Sequence, residues 1–182
     1  MRRSLILLWL SVLGGCSLLP GYSHCTRLAE GVPYCLAAPD PAQPAERQVQ
    51  RITIAYPDGQ LALMGVEEQQ ANAWVLAAAG PLGQPSLSLR WDGETLSQQL
   101  QGLPGQFDPV WLMALVQVMA QPERLADGAG QWHDGECDVP CQRYLRDGNV
   151  LFTVAHGANW QRLEHHPYGI TMTVTTLSRE PL

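Results

Sequence analysis

Lysine is absent from this chain of 182 residues: all eleven cations are arginine, set against seventeen carboxylates for a formal charge of −6. The absence excludes Schiff-base chemistry and the lysine-bearing phosphate loop. The negative balance argues against a nucleic-acid partner, which needs a dense cationic face. Charge of either sign is scarce, 15% of residues against 46% hydrophobic, which excludes wholesale disorder. Also missing is an apolar run of the roughly 20 residues that a spanning helix requires. No serine sits in a Gly-x-Ser-x-Gly frame. What remains is enough chain for one domain with its own core.

What the chain does carry at its start is an address. Arg2 and Arg3 precede an apolar stretch from Leu5 to Leu13, of signal-peptide length. The stretch ends in Leu13-Gly14-Gly15-Cys16, which resembles the bacterial lipobox. The alternative is an ordinary secretory signal with a chance cysteine. The resemblance implies cleavage after residue 15, acylation of Cys16, and a membrane held through the lipid anchor. The mature chain then keeps nine arginines against seventeen carboxylates, a formal charge of −8. Each buried methylene is worth about 0.8 kcal/mol, so two or three acyl chains anchor almost permanently. Ser17 stands where the enterobacterial sorting rule places aspartate for inner-membrane retention, so the expected site is the outer membrane, facing the periplasm.

Four further cysteines suit that oxidising compartment. The expected pairs are the local ones, Cys25–Cys35 and Cys137–Cys141. A zinc site at His133, Cys137 and Cys141 is the competing reading, opposed by Gly135 and Pro140, which disfavour the helix it needs. Three domains follow: a signal peptide over 1–15, a lipidated tether with a disulfide loop over 16–47, and a folded sheet domain over 48–182. The tether assignment rests on Pro39, Pro41, Pro44 and several alanines.

From residue 48 the pattern is that of strands. Ile52, Ile54 and Tyr56 alternate with polar neighbours, Pro57-Asp58-Gly59 turns, and Leu61, Leu63 and Val66 return. Trp74-Val75-Leu76 stops at Gly80-Pro81-Leu82-Gly83. Leu87, Leu89 and Trp91 alternate up to Asp92-Gly93, where a type I′ turn pairs Trp91 with Glu94 and Leu89 with Leu96. A second such turn at Asp147-Gly148 sets Tyr144 opposite Leu151. Strands around Trp160–Leu163 and Ile170–Val174 complete the set. Between the halves, Asp108 caps and Pro109 opens a helix that runs to Met119, with Pro122 beyond its end. Gln117 is the one clearly polar side chain in it, so the helix must be covered almost all round, in the hollow of a curved sheet or as its lid.

The order of these motifs resembles the bacterial lipoproteins grouped as domain of unknown function 3261, often encoded beside aryl polyene synthesis genes. The quoted features are the lipobox, the strand meander, Gly80–Gly83, Trp91-Asp92-Gly93 and the Leu103-Pro104 helix entry. That group in turn is similar to the LolA/LolB lipoprotein carriers. The resemblance implies an α+β, mostly β fold: an open antiparallel barrel, or curved sheet, covered or plugged by helices. It also implies lipid or acylated hydrophobic cargo, such as an aryl polyene, with a periplasmic carrier protein as a further partner. LolB inserts cargo with an apolar residue on a protruding loop; Leu82 is the residue offered here, against the alternative that a turn leucine packs inside.

Candidate cavity residues are Ile52, Ile54, Leu63, Trp74, Leu76, Leu87, Leu89, Trp111, Leu115 and Met119, which equally well fill a solid core. An assembly lipoprotein that binds a protein partner is the second reading. An enzyme is the third, with Glu164-His165-His166 as its best base or metal ligand against a plain solvated turn. No nucleophile has an evident base, so no enzyme, cofactor or resident metal is expected.

Overall fold

The computed structural model describes residues 24–101, 107–125 and 130–182. The signal segment, Cys16 and Leu103-Pro104 lie outside the described residues. Strands β1 (Cys25–Ala29) and β2 (Val32–Cys35) form a separate hairpin closed by a disulfide between Cys25 and Cys35. The others build one antiparallel sheet: β3 (Glu46–Tyr56), β4 (Gly59–Gln70), β5 (Ala73–Ala79), β6 (Pro85–Trp91), β7 (Leu96–Leu100), β8 (Gln131–Asp134), β9 (Cys141–Arg146), β10 (Asn149–His156), β11 (Trp160–His165) and β12 (Ile170–Pro181). Their order is β7-β6-β5-β4-β3-β12-β11-β10-β9-β8, two meanders joined where the last strand lies along β3. Among the described residues β7 and β8 do not pair, so the sheet keeps two edges and no closed barrel forms.

Helix α1 (Pro109–Ala120) dictates the shape of this sheet. Asp108 accepts a hydrogen bond from the Trp111 backbone N–H at 3.0 Å, and Pro109 occupies a position where its missing N–H costs nothing. Every residue from Trp111 to Met119 is buried. Ten strands laid flat span about 48 Å, whereas a helix with its side chains is about 10 Å wide. Yet Leu87 and Leu89 of β6 and Val154 and Leu163 of β10 and β11 share one core with the helix. The sheet must therefore curl around it. Period-two alternation sets which side faces in: Ile52, Ile54, Leu63, Leu76, Leu89, Met172 and Val174 are buried, while Arg51, Ala77 and Ser88 between them are less so or exposed.

The helix face left over by the sheet is covered by the N-terminal hairpin. Leu28, Val32, Tyr34 and Leu36 are core residues. Within the segment expected as a tether with a disulfide loop, the described residues 25–36 thus form a disulfide-closed hairpin and the residue after it, Leu36, which pack on the core. The segment before β3 reads as polar and proline-rich because only alternate residues of a short hairpin need to be apolar. The hairpin and the Ala37 segment after it are held by hydrogen bonds to Gln117, Trp91 and His165, and Arg146 Nη1 donates to the Glu30 carbonyl at 2.6 Å. Gln117 accepts from the Tyr34 hydroxyl at 3.0 Å and the Ala37 N–H at 2.9 Å, and donates to the Ala37 carbonyl at 3.0 Å. The Trp91 indole N–H also reaches that carbonyl, at 2.7 Å. The imidazole Nε2 of His165 lies 2.6 Å from the Leu28 carbonyl. Burial pushes the Tyr34 hydroxyl up to about 12, so it stays a donor at any ordinary pH.

Both hairpin registers differ from expectation. Trp91 pairs with Leu96 and Leu89 with Gln98, two residues beyond the expected pairing. The Asp92 carboxylate accepts from the N–H groups of Glu94 at 2.9 Å and Thr95 at 2.7 Å, which stabilises a four-residue loop over a two-residue turn. A shift of two preserves the face, so Leu89 and Leu96 still point the same way. Asp147 and Gly148 do adopt the positive φ values, 51° and 78°, of a type I′ turn. A bulge between Val150 and Phe152 then sets Tyr144 opposite Phe152, not Leu151. The bulge carries Phe152 into the core, fully buried against Tyr144. Cys137 and Cys141 are joined by a disulfide, which removes both thiolates from the zinc reading.

The Gln117 contacts set a stability test. Gln117→Leu leaves the Tyr34 hydroxyl and the Ala37 N–H buried without partners, and is expected to cost about 2–4 kcal/mol. Tyr34→Phe removes one bond and costs about 1 kcal/mol. Urea unfolding of the two variants beside the unaltered chain measures the difference.

Candidate functional site

Where α1 faces the middle of the sheet, contact is incomplete. Leu112, Val116 and Met119 lie at helical spacing on one face and look across at Ile52, Ile54, Leu63, Leu76, Leu87, Met172 and Val174. Phe107 closes one side, and Gln50 and Glu67 are the two polar side chains of the lining. Gly65 lies in the floor between Leu63 and Glu67. A Cβ there would approach the Ile52 Cδ1 to 2.7 Å, so the missing side chain makes room for Ile52. The open space is about 30 Å³, roughly one tenth of the smallest ordinary ligand pocket of about 300 Å³. The slot is a narrow seam between helix and sheet.

The seam is polar at one end. Along β3 the inward positions run Ile54, Ile52, Gln50, Gln48, Glu46, and along β4 they run Leu63, Gly65, Glu67, Gln69. The Glu67 carboxylate accepts from Gln50 at 2.7 Å, Trp74 Nε1 at 2.8 Å and Gln69 at 2.9 Å. Gln50 donates to Gln48 at 3.3 Å, and Gln48 to Glu46 at 2.6 Å. Glu46 in turn pairs with Arg179 at 3.2 Å, near solvent. Among the described residues no cation reaches Glu67 itself.

Six of the ten candidate cavity residues line the seam: Ile52, Ile54, Leu63, Leu76, Leu87 and Met119. Leu89, Leu115 and Trp111 pack elsewhere in the core, and Trp74 meets the seam through its indole bond to Glu67. Trp111 belongs to an aromatic group with Phe107, His165 and Tyr168. Sequence reasoning missed Gln50, Glu67, Phe107, Leu112, Val116, Met172 and Val174. The period-two positions of Gln50 and Glu67 beside Ile52 and Leu63 were the available signal. Leu82 is 93% exposed, at the tip of a turn closed by a hydrogen bond from Gly83 N–H to the Gly80 carbonyl at 2.9 Å.

The candidate catalytic groups are placed otherwise. Glu164 pairs with Arg162 at 3.2 Å, and His166 Nε2 lies 2.8 Å from the Thr153 hydroxyl. His165 is fully buried and stacks on Tyr168 with the rings 4.4 Å apart. Its Nδ1 accepts from the Tyr168 N–H at 3.3 Å, which leaves the proton on Nε2, toward the Leu28 carbonyl. Among the described residues no group of histidine, cysteine and carboxylate side chains is arranged to hold a metal.

A protein-family description, "Protein of unknown function (DUF3261)", matches residues 47–178. No curated protein matches the chain.

Burial drives the pKa of His165 below its ordinary 6.5, opposed by the smaller effect of its hydrogen bond to Leu28. The unfolded chain therefore takes up this proton first, and stability is whole above 6.5 and falls as pH drops below it. Unfolding midpoints in urea at pH 8 and pH 5 are expected to differ less in His165→Gln than in the unaltered chain. An equal loss in both would assign the acid sensitivity to other groups.

Proposed function

Because the chain belongs to that family of unknown function, its role must be argued from the seam, and we propose that it is a lipoprotein that carries hydrophobic cargo between α1 and the sheet. Cys16 is its acylated anchor, at the outer membrane and facing the periplasm. The observation that carries the reading is the seam's lining, eleven apolar side chains against Gln50 and Glu67. A core meant only for stability gains from closing such a seam completely. An acyl or polyene chain entering it buries about 0.8 kcal/mol per methylene. Ten methylenes then return roughly 8 kcal/mol, set against the helix–sheet contacts they replace. The LolB-like architecture belongs to the same proposal: an open sheet wrapped on a helix supports it.

The placement of the N-terminal residues bears on delivery. Eight residue steps lead from Cys16 to His24, whose ring lies 4.7 Å from Trp91, so the anchor reaches at most about 28 Å. Leu82 lies beyond the other end of β6, a strand of seven residues and so roughly 23 Å long. The two lengths are comparable, which supports a Leu82 turn within reach of the bilayer. Leu82 is 93% exposed, which leaves it accessible for a role in releasing cargo into that bilayer.

The small open volume, about 30 Å³, favours a second reading, an assembly lipoprotein with a filled core that binds a protein partner. Mass spectrometry of lipids extracted from the purified protein separates the two. The carrier reading expects reproducible acyl or polyene cargo that Leu87→Trp removes without unfolding the chain; an interior empty of lipid in every preparation overturns it. Leu82→Glu is expected to keep the bound cargo and to slow its transfer to vesicles at least about tenfold, because a charge at the bilayer surface cannot insert. Unchanged transfer would leave Leu82 without this role.

A further inference from the structure

The polar end of the seam restricts what occupies it. Glu67 is 7% exposed, lines the seam, and takes its three hydrogen bonds from the neutral donors Gln50, Gln69 and Trp74. A carboxylate offers about four acceptor sites, so one is left for a ligand. Among the described residues its charge is not neutralised by a salt bridge, and the next acidic group along the same face, Glu46, already holds Arg179 at 3.2 Å. A ligand chain lying on Ile52 and Leu63 brings its head group to this carboxylate. An anionic head there meets like charge in a poorly solvated place, where repulsion is weakly screened. A head with N–H or O–H groups finds the free acceptor.

Resting on the carrier reading, we infer that the seam selects a single-chain amphiphile whose head group donates hydrogen bonds and carries no negative charge, with Glu67 as the residue that sets this choice. Gln50 and Trp74 act as positioning residues: they hold the carboxylate, Trp74 with its one indole N–H and Gln50 with an amide that also donates to Gln48. Free fatty acids and phosphate-headed lipids are thereby excluded as the preferred cargo. Amines, alcohols and amides on a long chain are admitted.

The test uses the full acylated chain in phosphatidylcholine nanodiscs and three probes with the same sixteen-carbon, diazirine-bearing chain, ending in an amine, a hydroxyl or a carboxylate. Crosslinks are mapped to peptides by mass spectrometry and normalised to labelling of the bilayer. The amine and the alcohol are expected to label the peptides holding Leu63 and Leu76 at least about tenfold more than the acid, the scale of one hydrogen bond to a charged group. Glu67→Gln is expected to collapse the ratio between amine and acid toward one. Equal or stronger labelling by the acid in the unaltered chain overturns the inference even should Glu67→Gln fail to fold, and so does a ratio that Glu67→Gln leaves unchanged. Absence of all three probes from the seam peptides, with the bilayer labelled, overturns the carrier reading beneath it.

Discussion

Everything in this fold depends on hiding α1. A helix with nine consecutive buried residues has no face to offer solvent, and a sheet can cover only the side that it wraps. The remaining side is closed by the N-terminal hairpin, and Gln117 is where that closure is fixed. Its side chain is fully buried and uses its oxygen twice and its nitrogen once, on Tyr34 and Ala37. An apolar side chain at that position would bury as well but would specify no register between hairpin and helix. The amide does both, since each of its bonds is left unsatisfied by any other docking of residues 34–37.

The parts of the fold that obey a local rule were legible in the sequence. Asp108 and Pro109 mark the helix start, and the alternation through Ile52 and Ile54 or Ile170, Met172 and Val174 gives strands and their inner face directly. Asp147-Gly148 gives its turn type. What was not legible depends on choices between near-equal local options. The Asp92 side chain decides between a two- and a four-residue loop, and a bulge at Leu151 lets Phe152 turn inward. Strand β8 has four residues and one partly buried position, too weak a pattern to read.

The candidate site was half legible for a related reason. Inward parity identified Ile52, Ile54, Leu63, Leu76 and Leu87 without the fold. Parity points equally to Gln50 and Glu67, but a search for apolar lining passes over them. Of the helix residues named from the sequence, Met119 lines the seam and Trp111 and Leu115 do not, because an all-apolar helix has no polar stripe by which to orient it. Trp111 and Leu115 were as plausible as Leu112 and Val116, and only the position of the hairpin distinguishes them. His165 illustrates the opposite error: a histidine beside another histidine suggests chemistry, yet its ring fills a space between Leu28, Phe152 and Tyr168.

An open sheet gives the proposed carrier a way to enlarge its seam. In a closed barrel the circumference is fixed by strand number and shear, so widening the interior breaks ladder hydrogen bonds. Here β7 and β8 are free edges among the described residues, and the sheet can uncurl by a small change of twist at each of nine strand pairs while every pair stays bonded. The hairpin is attached to the helix at Gln117, to β11 at His165 and to β6 at Trp91, so the helix is fixed most firmly on the side away from the seam. In this reading, motion is then concentrated between α1 and β3 to β5, where the lining is almost wholly apolar. In the proposed carrier, the attachments that make the apolar helix tolerable in water therefore also determine which of its faces can be exposed to a ligand.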